Sequence, residues 1–297
     1  MNDLFLQRSV ALEPLIGDTG ISCSFGMLAK ARRPNLHVGE LRVEWLRALL
    51  HSHQLVVLRG FDSFDDAASL TRYCSTFGEI MKWPFGAVLE LVEHPEPEDH
   101  IFTSSYVPLH WDGMYVESVP EYQVFHCVRA PGETQGGRTT FSSTTASLRV
   151  ATPRDRALWQ RAGGIYQRDV ALYSATVTAP IVCRHPRRPF SVLRFCEPPV
   201  DGDSTFINPS NYAFDGVAGN EREALLTSLR HALYDPRAHY AHRWQTGDVV
   251  LADNFSLLHG RERFASCSGR HLRRVHLHSE PPLRNPHLPT RPPPTTV

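Results

Sequence analysis

The sequence of 297 residues lacks a net charge, because its 31 basic and 31 acidic residues cancel. No field of one sign therefore draws the protein to nucleic acid or to an anionic membrane, and we expect neither as a partner. No apolar run approaches the roughly 20 residues that a membrane-spanning helix needs. These absences predict a soluble protein.

Paired cysteines are also missing from the sequence. The six cysteines are scattered and none forms a CxxC pair, which argues against a zinc module and against a redox dithiol. The first residues, MNDLFLQRSV, do not contain the apolar core of a signal peptide. We therefore expect a cytoplasmic protein with reduced thiols. The oligomeric state is left open, and a homo-oligomer is compatible with the sequence.

The pattern of apolar residues divides the chain into a helical first part and a longer β-rich part. Residues 39–53 and 61–78 show the spacing of amphipathic helices. From Ala87 onward, short β-type runs alternate with turns and are interrupted by two helix-like segments, 144–162 and 220–235. This pattern predicts a mainly β fold with helical decoration, either a sandwich or a jelly roll.

The predicted domain organisation is simple. We assign residues 1–280 to a single domain, with a β core from about residue 87 to about residue 278. Residues 100–109, HIFTSSYVPL, are predicted to be one of its strands. Residues 281–297 are rich in proline and are predicted to be a flexible tail.

A histidine followed two positions later by an acidic residue occurs three times. The pairs that begin at His94 and His278 lie in a polar loop and at the start of the proline-rich tail, so we interpret both as solvated surface. His110 and Asp112 instead follow a β-type run among large apolar residues, where unpaired polar groups are costly to bury. On local grounds the pair is either a metal site or a mutually satisfied core pair, with neither interpretation favoured.

Residues 132–139, GETQGGRT, have the spacing of a phosphate-binding loop, with arginine in place of the lysine. The residues that follow, TFSST, are β-branched and aromatic, so no helix N-terminus stands behind the loop to bind a phosphate. Arginine also does not replace the point charge of that lysine. We therefore reject nucleotide binding at this loop.

A third candidate ligand, His259, comes late in the chain, just after the strand-like segment DVVLAD. Two histidines and one carboxylate can hold one face of an iron(II) octahedron and leave three positions open. Arg270 follows eleven residues later, and the alternation in RHLRRVHL places Arg270 and Arg274 on one face. Each arginine alone is typical of a solvated surface. Two arginines that project inward together need anions, which a dicarboxylic cosubstrate and a carboxylate substrate would provide.

The order and spacing of these motifs resemble those of the taurine dioxygenase-like (TauD/TfdA) Fe(II)/2-oxoglutarate oxygenases. The likeness depends on HWD, on GGRT with Thr139 27 positions after Asp112, on LLHGR and on the arginine eleven residues after its histidine. It covers the chain from about Leu36 to Leu277. The resemblance implies a double-stranded β-helix (jelly roll) with iron bound by His110, Asp112 and His259.

The same resemblance implies 2-oxoglutarate and O₂ as cosubstrates. Thr139 and Arg270 fall on the family positions that hold the distal carboxylate of 2-oxoglutarate. Arg274 falls on a position that faces a carboxyl group of the substrate or of the cosubstrate.

A narrower resemblance is to the bacterial isonitrile-pathway oxygenases, which act on tyrosine isonitrile. Segments such as WPFGAVLELVE, YVPLHWDGMY and GGRTTFSST carry it. It implies desaturation of tyrosine isonitrile, either with loss of the carboxylate to give a vinyl isonitrile or with the carboxylate retained. Two alternatives stay open: a hydroxylase of another small carboxylate or sulfonate, and a jelly-roll binding protein without catalysis.

An aromatic substrate suits the loop that contains Trp83 and Phe85, where the taurine enzymes have polar residues. We therefore assign Trp83, Phe85, Tyr106 and Tyr115 to the substrate pocket. For any one of these side chains, ordinary packing in the core is an equally good explanation.

Overall fold

The structure is a computed structural model that describes residues 9–170, 173–199 and 206–289. Its α-helices are α1 (Val43–His53), α2 (Ala67–Ser75), α3 (Thr144–Val150), α4 (Pro153–Arg161) and α5 (Arg222–Leu233). Its strands are β1 (Val10–Ile16), β2 (Ser22–Ala31), β3 (Leu55–Arg59), β4 (Val88–Val92), β5 (Val107–His110), β6 (Ser118–Val119), β7 (Tyr122–Arg129), β8 (Thr139–Ser143), β9 (Gly163–Val170), β10 (Tyr173–Pro180), β11 (Val182–Arg184), β12 (Ser191–Leu193), β13 (Asn211–Asp215), β14 (His239–His242), β15 (Val249–Asp253), β16 (Leu257–Arg261), β17 (His271–Leu277) and β18 (Leu283–Arg284).

Two sheets form the body of the domain. The larger sheet has the strand order β1-β2-β3-β15-β7-β17-β4, and the smaller has the order β14-β8-β16-β5. Residues of β7 and β15 in the larger sheet, such as Phe125 and Val250, share one buried cluster with Phe141 and Leu257 of the smaller sheet. The inner faces of the two sheets therefore pack on each other, which is the arrangement of a jelly roll. The predicted fold class is confirmed.

Helices cover the outer faces of both sheets. Because strand side chains alternate, Val56 and Leu251 of the larger sheet point away from the smaller one and pack in a cluster with Leu50 of α1. On the other side, Leu258 of β16 lies in a cluster with Leu229 of α5. Among the described residues, no helix is both long and apolar enough to cross a membrane.

The structure corrects two boundaries of the predicted β core. The larger sheet includes β1, β2 and β3, so it begins well before residue 87. Residues 100–109 are not one strand, because a 3-10 turn (His100–Phe102) and a loop precede β5. The reason is the guanidinium of Arg261, which donates to the carbonyl oxygens of His100, Ile101, Thr103 and Ser105 and so takes the place of a neighbouring strand.

Part of the segment predicted as a flexible tail is packed against the domain. β18 pairs with β6, and the buried Asn285 donates from Nδ2 to the carbonyl oxygens of Met114 at 2.9 Å and Val116 at 3.1 Å. A proline-rich composition gives no sign of a buried amide side chain such as that of Asn285. The structure therefore contradicts the prediction of a flexible tail for residues 281–289. Residues 290–297 lie outside the described residues.

We expect Asn285→Ala to lower the free energy of unfolding by about 1–3 kcal/mol, because it removes the amide donor to the carbonyl groups of Met114 and Val116. Urea denaturation followed by circular dichroism measures the change. The control is Arg284→Ala, the exposed residue that precedes Asn285 at the end of β18, which should change stability by less than about 0.5 kcal/mol. Equal effects of the two substitutions would contradict the anchoring role of Asn285.

Candidate metal centre and substrate pocket

The pairing of two strands brings the two candidate histidine ligands together. β5 and β16 run antiparallel, and His110 lies directly opposite His259, with 4.3 Å between their ring centroids. Asp112 follows in the turn after β5. Asn254 holds this turn, because its side chain accepts from the Asp112 N–H at 2.9 Å and donates to the Asp112 carbonyl at 3.0 Å. One potential ligand atom from each of the three residues lies within 4.8 Å of the others.

The imidazole of His110 is oriented by the backbone. Its Nδ1 lies 2.8 Å from the carbonyl oxygen of Pro108. A carbonyl oxygen only accepts, so Nδ1 carries the proton and Nε2 keeps its lone pair. That Nε2 lies 3.7 Å from Asp112 Oδ1, and His259 Nε2 lies 3.5 Å from Asp112 Oδ2. Both imidazoles therefore present Nε2 to the carboxylate.

The charges around the centre favour the protonation states that a metal requires. Burial by itself raises the pKa of Asp112, but Arg274, His259 and His276 outweigh it and hold that pKa well below its usual range. Burial, together with the neighbouring His110, holds the pKa of His259 well below its usual range. A carboxylate and a neutral imidazole are the forms that bind metal. The set of two nitrogens and one oxygen fits iron(II), as the sequence predicts.

Arg270 lies in a separate part of the interior, where the described residues provide no carboxylate to pair with it. Its side chain is buried, with Nε donating to the Gly137 carbonyl at 2.9 Å and Nη2 lying 3.4 Å from Thr139 Oγ1. Burial lowers the pKa of Arg270 to about 10. No carboxylate among the residues that the structure describes forms an ion pair with this guanidinium. A buried cation without a partner is costly, so the site is suited to a bound carboxylate.

The glycine pair before Thr139 allows the close approach of Arg270. Gly137 has φ +77°, and a Cβ there would lie 3.0 Å from both Arg270 Cδ and Phe264 Cβ. Gly137 therefore leaves room for the side chain of Arg270. This gives the GGRT segment a structural role other than binding a nucleotide phosphate.

The structure places Arg274 at the metal centre. Its Nη1 lies 2.8 Å from Asp112 Oδ2, and its buried Nε has no hydrogen-bond partner among the described residues. Arg274 also lines the pocket to which His110 and Asp112 contribute. The guanidinium thus lines the space where a substrate or cosubstrate carboxyl group is predicted to bind, and it keeps one buried donor without a partner among the described residues.

Three of the four predicted aromatic residues line that pocket. Trp83 and Phe85 lie on one wall with their rings stacked at 5.9 Å, and Tyr115 lies on another, where its hydroxyl donates to Ser210 Oγ at 2.9 Å. Tyr106 is not among the lining residues. It packs beside the pocket against the ring of Phe206, which does line it, at 5.8 Å.

Two functional neighbours of Asp112 were not predicted. His276 Nε2 lies 2.8 Å from Asp112 Oδ2, and Gln123 Nε2 donates to the same oxygen. The two residues are opposite each other in neighbouring strands, β17 and β7. The alternation that places Arg270 and Arg274 on one face continues to His276, so the sequence pattern could have predicted that His276 also faces the interior. No sequence pattern distinguishes Gln123, a neutral residue in an apolar strand.

Comparisons with known proteins agree with this geometry. Residues 29–276 match the family model described as taurine catabolism dioxygenase TauD, TfdA family. The chain is 63% identical over 288 residues to a tyrosine isonitrile desaturase of Erwinia amylovora (strain CFBP1430), which covers 97% of this chain and 99% of that protein. It is 39% identical over 254 residues to a 3-((Z)-2-isocyanoethenyl)-1H-indole synthase of Fischerella ambigua (strain UTEX 1903), covering 85% of this chain and 92% of that one.

A solved structure of PvcB, described as an Fe, alpha-ketoglutarate dependent oxygenase from an isonitrile synthetic pathway, is also similar. It superposes with a TM-score of 0.82 at 58% identity and covers 94% of this chain and 96% of its own. The family match runs from β2 to β17 and includes all the residues predicted to bind iron and 2-oxoglutarate. The predicted family is therefore confirmed, and the chain belongs to the taurine catabolism dioxygenase TauD, TfdA family.

Proposed function

We propose that the protein is an Fe(II)- and 2-oxoglutarate-dependent oxygenase that desaturates tyrosine isonitrile. The observation that carries the proposal is the two-histidine, one-carboxylate group, of which His110 and Asp112 line a pocket that also contains Trp83, Phe85 and Tyr115. Iron bound by His110, Asp112 and His259 would couple the oxidative decarboxylation of 2-oxoglutarate to oxidation of the substrate by O₂.

The two arginines have different tasks in this proposal. Arg270 and Thr139 bind the distal carboxylate of 2-oxoglutarate, since that guanidinium is buried without a carboxylate partner. Trp244 Nε1 donates to Thr139 Oγ1 at 3.0 Å and directs the hydroxyl proton away from itself, toward a bound anion. Arg274 binds a carboxyl group of the substrate or the proximal end of the cosubstrate, because its cationic side chain lines the pocket beside Asp112.

The choice of substrate depends on the pocket wall and on the relatives. Stacked Trp83 and Phe85 offer a flat apolar surface for an aromatic ring. The Erwinia relative, which is named for tyrosine isonitrile, covers nearly the whole chain. Removal of hydrogen from the benzylic carbon is common to both outcomes, the vinyl isonitrile formed with loss of CO₂ and the 2,3-desaturated product that retains the carboxylate.

We also propose that the enzyme works in the cytoplasm. All six cysteines are free thiols, which is the expected state in a reducing compartment. Fractionation of cells that produce the protein would test the location.

The direct test is mass spectrometry of the products after incubation with tyrosine isonitrile, Fe(II), 2-oxoglutarate and O₂. We expect succinate and a product that has lost two hydrogens, with or without CO₂. Chelation of the iron and the variant His259→Ala should each abolish both. The corresponding indole isonitrile should react more slowly, because the chain is less similar to the indole enzyme. A hydroxylated product would favour a hydroxylase, and no succinate with intact iron binding would favour a silent binding protein.

Arg270→Lys should raise the apparent Kd for 2-oxoglutarate about 10- to 100-fold, because lysine keeps the charge but loses the two parallel hydrogen bonds to a carboxylate. Titration of 2-oxoglutarate into the iron-loaded protein under anaerobic conditions measures this. Arg273→Lys is the control, because Arg273 lies three residues further along the chain, in β17, and pairs with Glu90 instead. Normal binding by Arg270→Lys together with weak binding by Arg274→Lys would mean that the two roles are reversed.

Phe85→Ala should raise the KM for tyrosine isonitrile about 2- to 10-fold through loss of the aromatic contact, and should reduce uncoupled consumption of 2-oxoglutarate much less. Phe85 is 41% exposed, so its removal should leave the melting temperature nearly unchanged. Equal loss of both activities with a lower melting temperature would instead assign Phe85 to packing.

A further inference from the structure

A chain of hydrogen bonds connects the aromatic wall of the pocket to the carboxylate of the metal centre. Trp83 Nε1 lies 3.0 Å from His276 Nδ1, and His276 Nε2 lies 2.8 Å from Asp112 Oδ2. His276 is buried between them. Its ring centroid is 5.6 Å from that of Trp83. The imidazole therefore bridges a residue of the pocket and a candidate metal ligand.

The chemistry of the two end groups fixes the direction of both hydrogen bonds. An indole N–H can only donate, so His276 Nδ1 accepts and carries no proton. The neutral imidazole then has its proton on Nε2 and donates it to the Asp112 carboxylate. One tautomer satisfies both neighbours. No other arrangement of a neutral ring does so.

His276 acts on one particular oxygen of Asp112. Oδ2 also accepts from Gln123 and lies 2.8 Å from Arg274 Nη1, so three donors share it. The nearest partner of Oδ1 among the described residues is His110 Nε2, at 3.7 Å. The three donors therefore occupy Oδ2, which also lies 3.5 Å from His259 Nε2, and leave the lone pairs of Oδ1, on the side of His110, available to a metal.

We propose that His276 is a positioning residue: through its hydrogen bonds to Asp112 and Trp83, it holds the Asp112 carboxylate with Oδ1 toward the metal and links that orientation to the aromatic wall. This inference rests on the proposed iron site. The terminal torsion of an aspartate is broad and nearly two-fold, so the carboxylate needs external donors to keep one orientation. Trp83 in turn keeps the imidazole in the tautomer that can donate.

The first test measures metal affinity without substrate, using Mn(II) titrated into the protein in the presence of 2-oxoglutarate and detected by electron paramagnetic resonance of the free ion. His276→Leu removes the donor at similar volume and should weaken Mn(II) binding about 10- to 100-fold. His276→Gln offers an amide N–H to Asp112 and should restore part of the affinity. A positioning role predicts this rescue, whereas a role in packing alone does not.

The second test asks whether Trp83 acts through His276. Trp83→Phe keeps an aromatic ring but removes the indole N–H, and should weaken Mn(II) binding less than His276→Leu does. The double variant should bind no more weakly than His276→Leu alone, because both substitutions interrupt one chain. Phe85→Leu, which disturbs the ring stack and leaves the hydrogen bonds intact, should leave Mn(II) affinity unchanged.

The outcomes separate the two proposals. Unchanged affinity in His276→Leu, or losses from Trp83→Phe and His276→Leu that simply add, would overturn the bridge while leaving the iron site intact. A weakened Phe85→Leu variant would assign the effect to the loop as a whole and would also overturn it. If the unmutated protein bound no Mn(II), the proposed iron site would fail and the inference with it. The titration needs no tyrosine isonitrile, so an incorrect substrate would not affect it.

Discussion

Asp112 carries a negative charge in the interior of the protein, and the arrangement of the surrounding side chains follows from that charge. Burial raises the pKa of this carboxyl group, but Arg274, with His259 and His276 beside it, holds the pKa well below its usual range. Arg274 and His276 of β17 and Gln123 of β7 all direct nitrogen donors at its Oδ2. Two neighbouring strands of the larger sheet thus serve a carboxylate that lies after a strand of the smaller sheet.

Arg270 and Arg261 show how a structural arginine differs from one available for a ligand. Both are buried, and burial lowers the pKa of each. Arg261 donates to four backbone carbonyl groups and fixes the loop before β5. Arg270 makes one such bond, to Gly137, and has a hydroxyl within reach at Thr139. Both terminal nitrogens of Arg261 donate to its own backbone, whereas Arg270 retains a terminal nitrogen for a carboxylate from outside the chain.

The sequence was sufficient to predict the fold class and to select residues that the structure brings together, because both depend on local pattern and spacing. The alternation along β17 predicts that Arg274 faces the interior. The single residue between His110 and Asp112 in HWD keeps these two side chains close together. Features that depend on pairing between strands distant in the sequence could not be predicted from the sequence. Gln123 meets Asp112 only because β7 lies beside β17, and Asn285 is buried only because β18 pairs with β6. The loop at residues 100–109 resembles a strand until the partner that occupies its carbonyl groups, Arg261, is known.

The register of the smaller sheet sets the distance between the two proposed binding sites. β16 and β8 place His259 opposite Phe141 and Arg261 opposite Thr139, two residues further along the same faces. Gly260 between them is required, since a Cβ there would lie 2.5 Å from the Val107 carbonyl oxygen of β5. A slip of β16 by one residue against β8 would turn His259 to the outer face while Thr139 stayed on the inner one. The metal centre and the anion site therefore stay in register with each other because the same backbone pairing builds both.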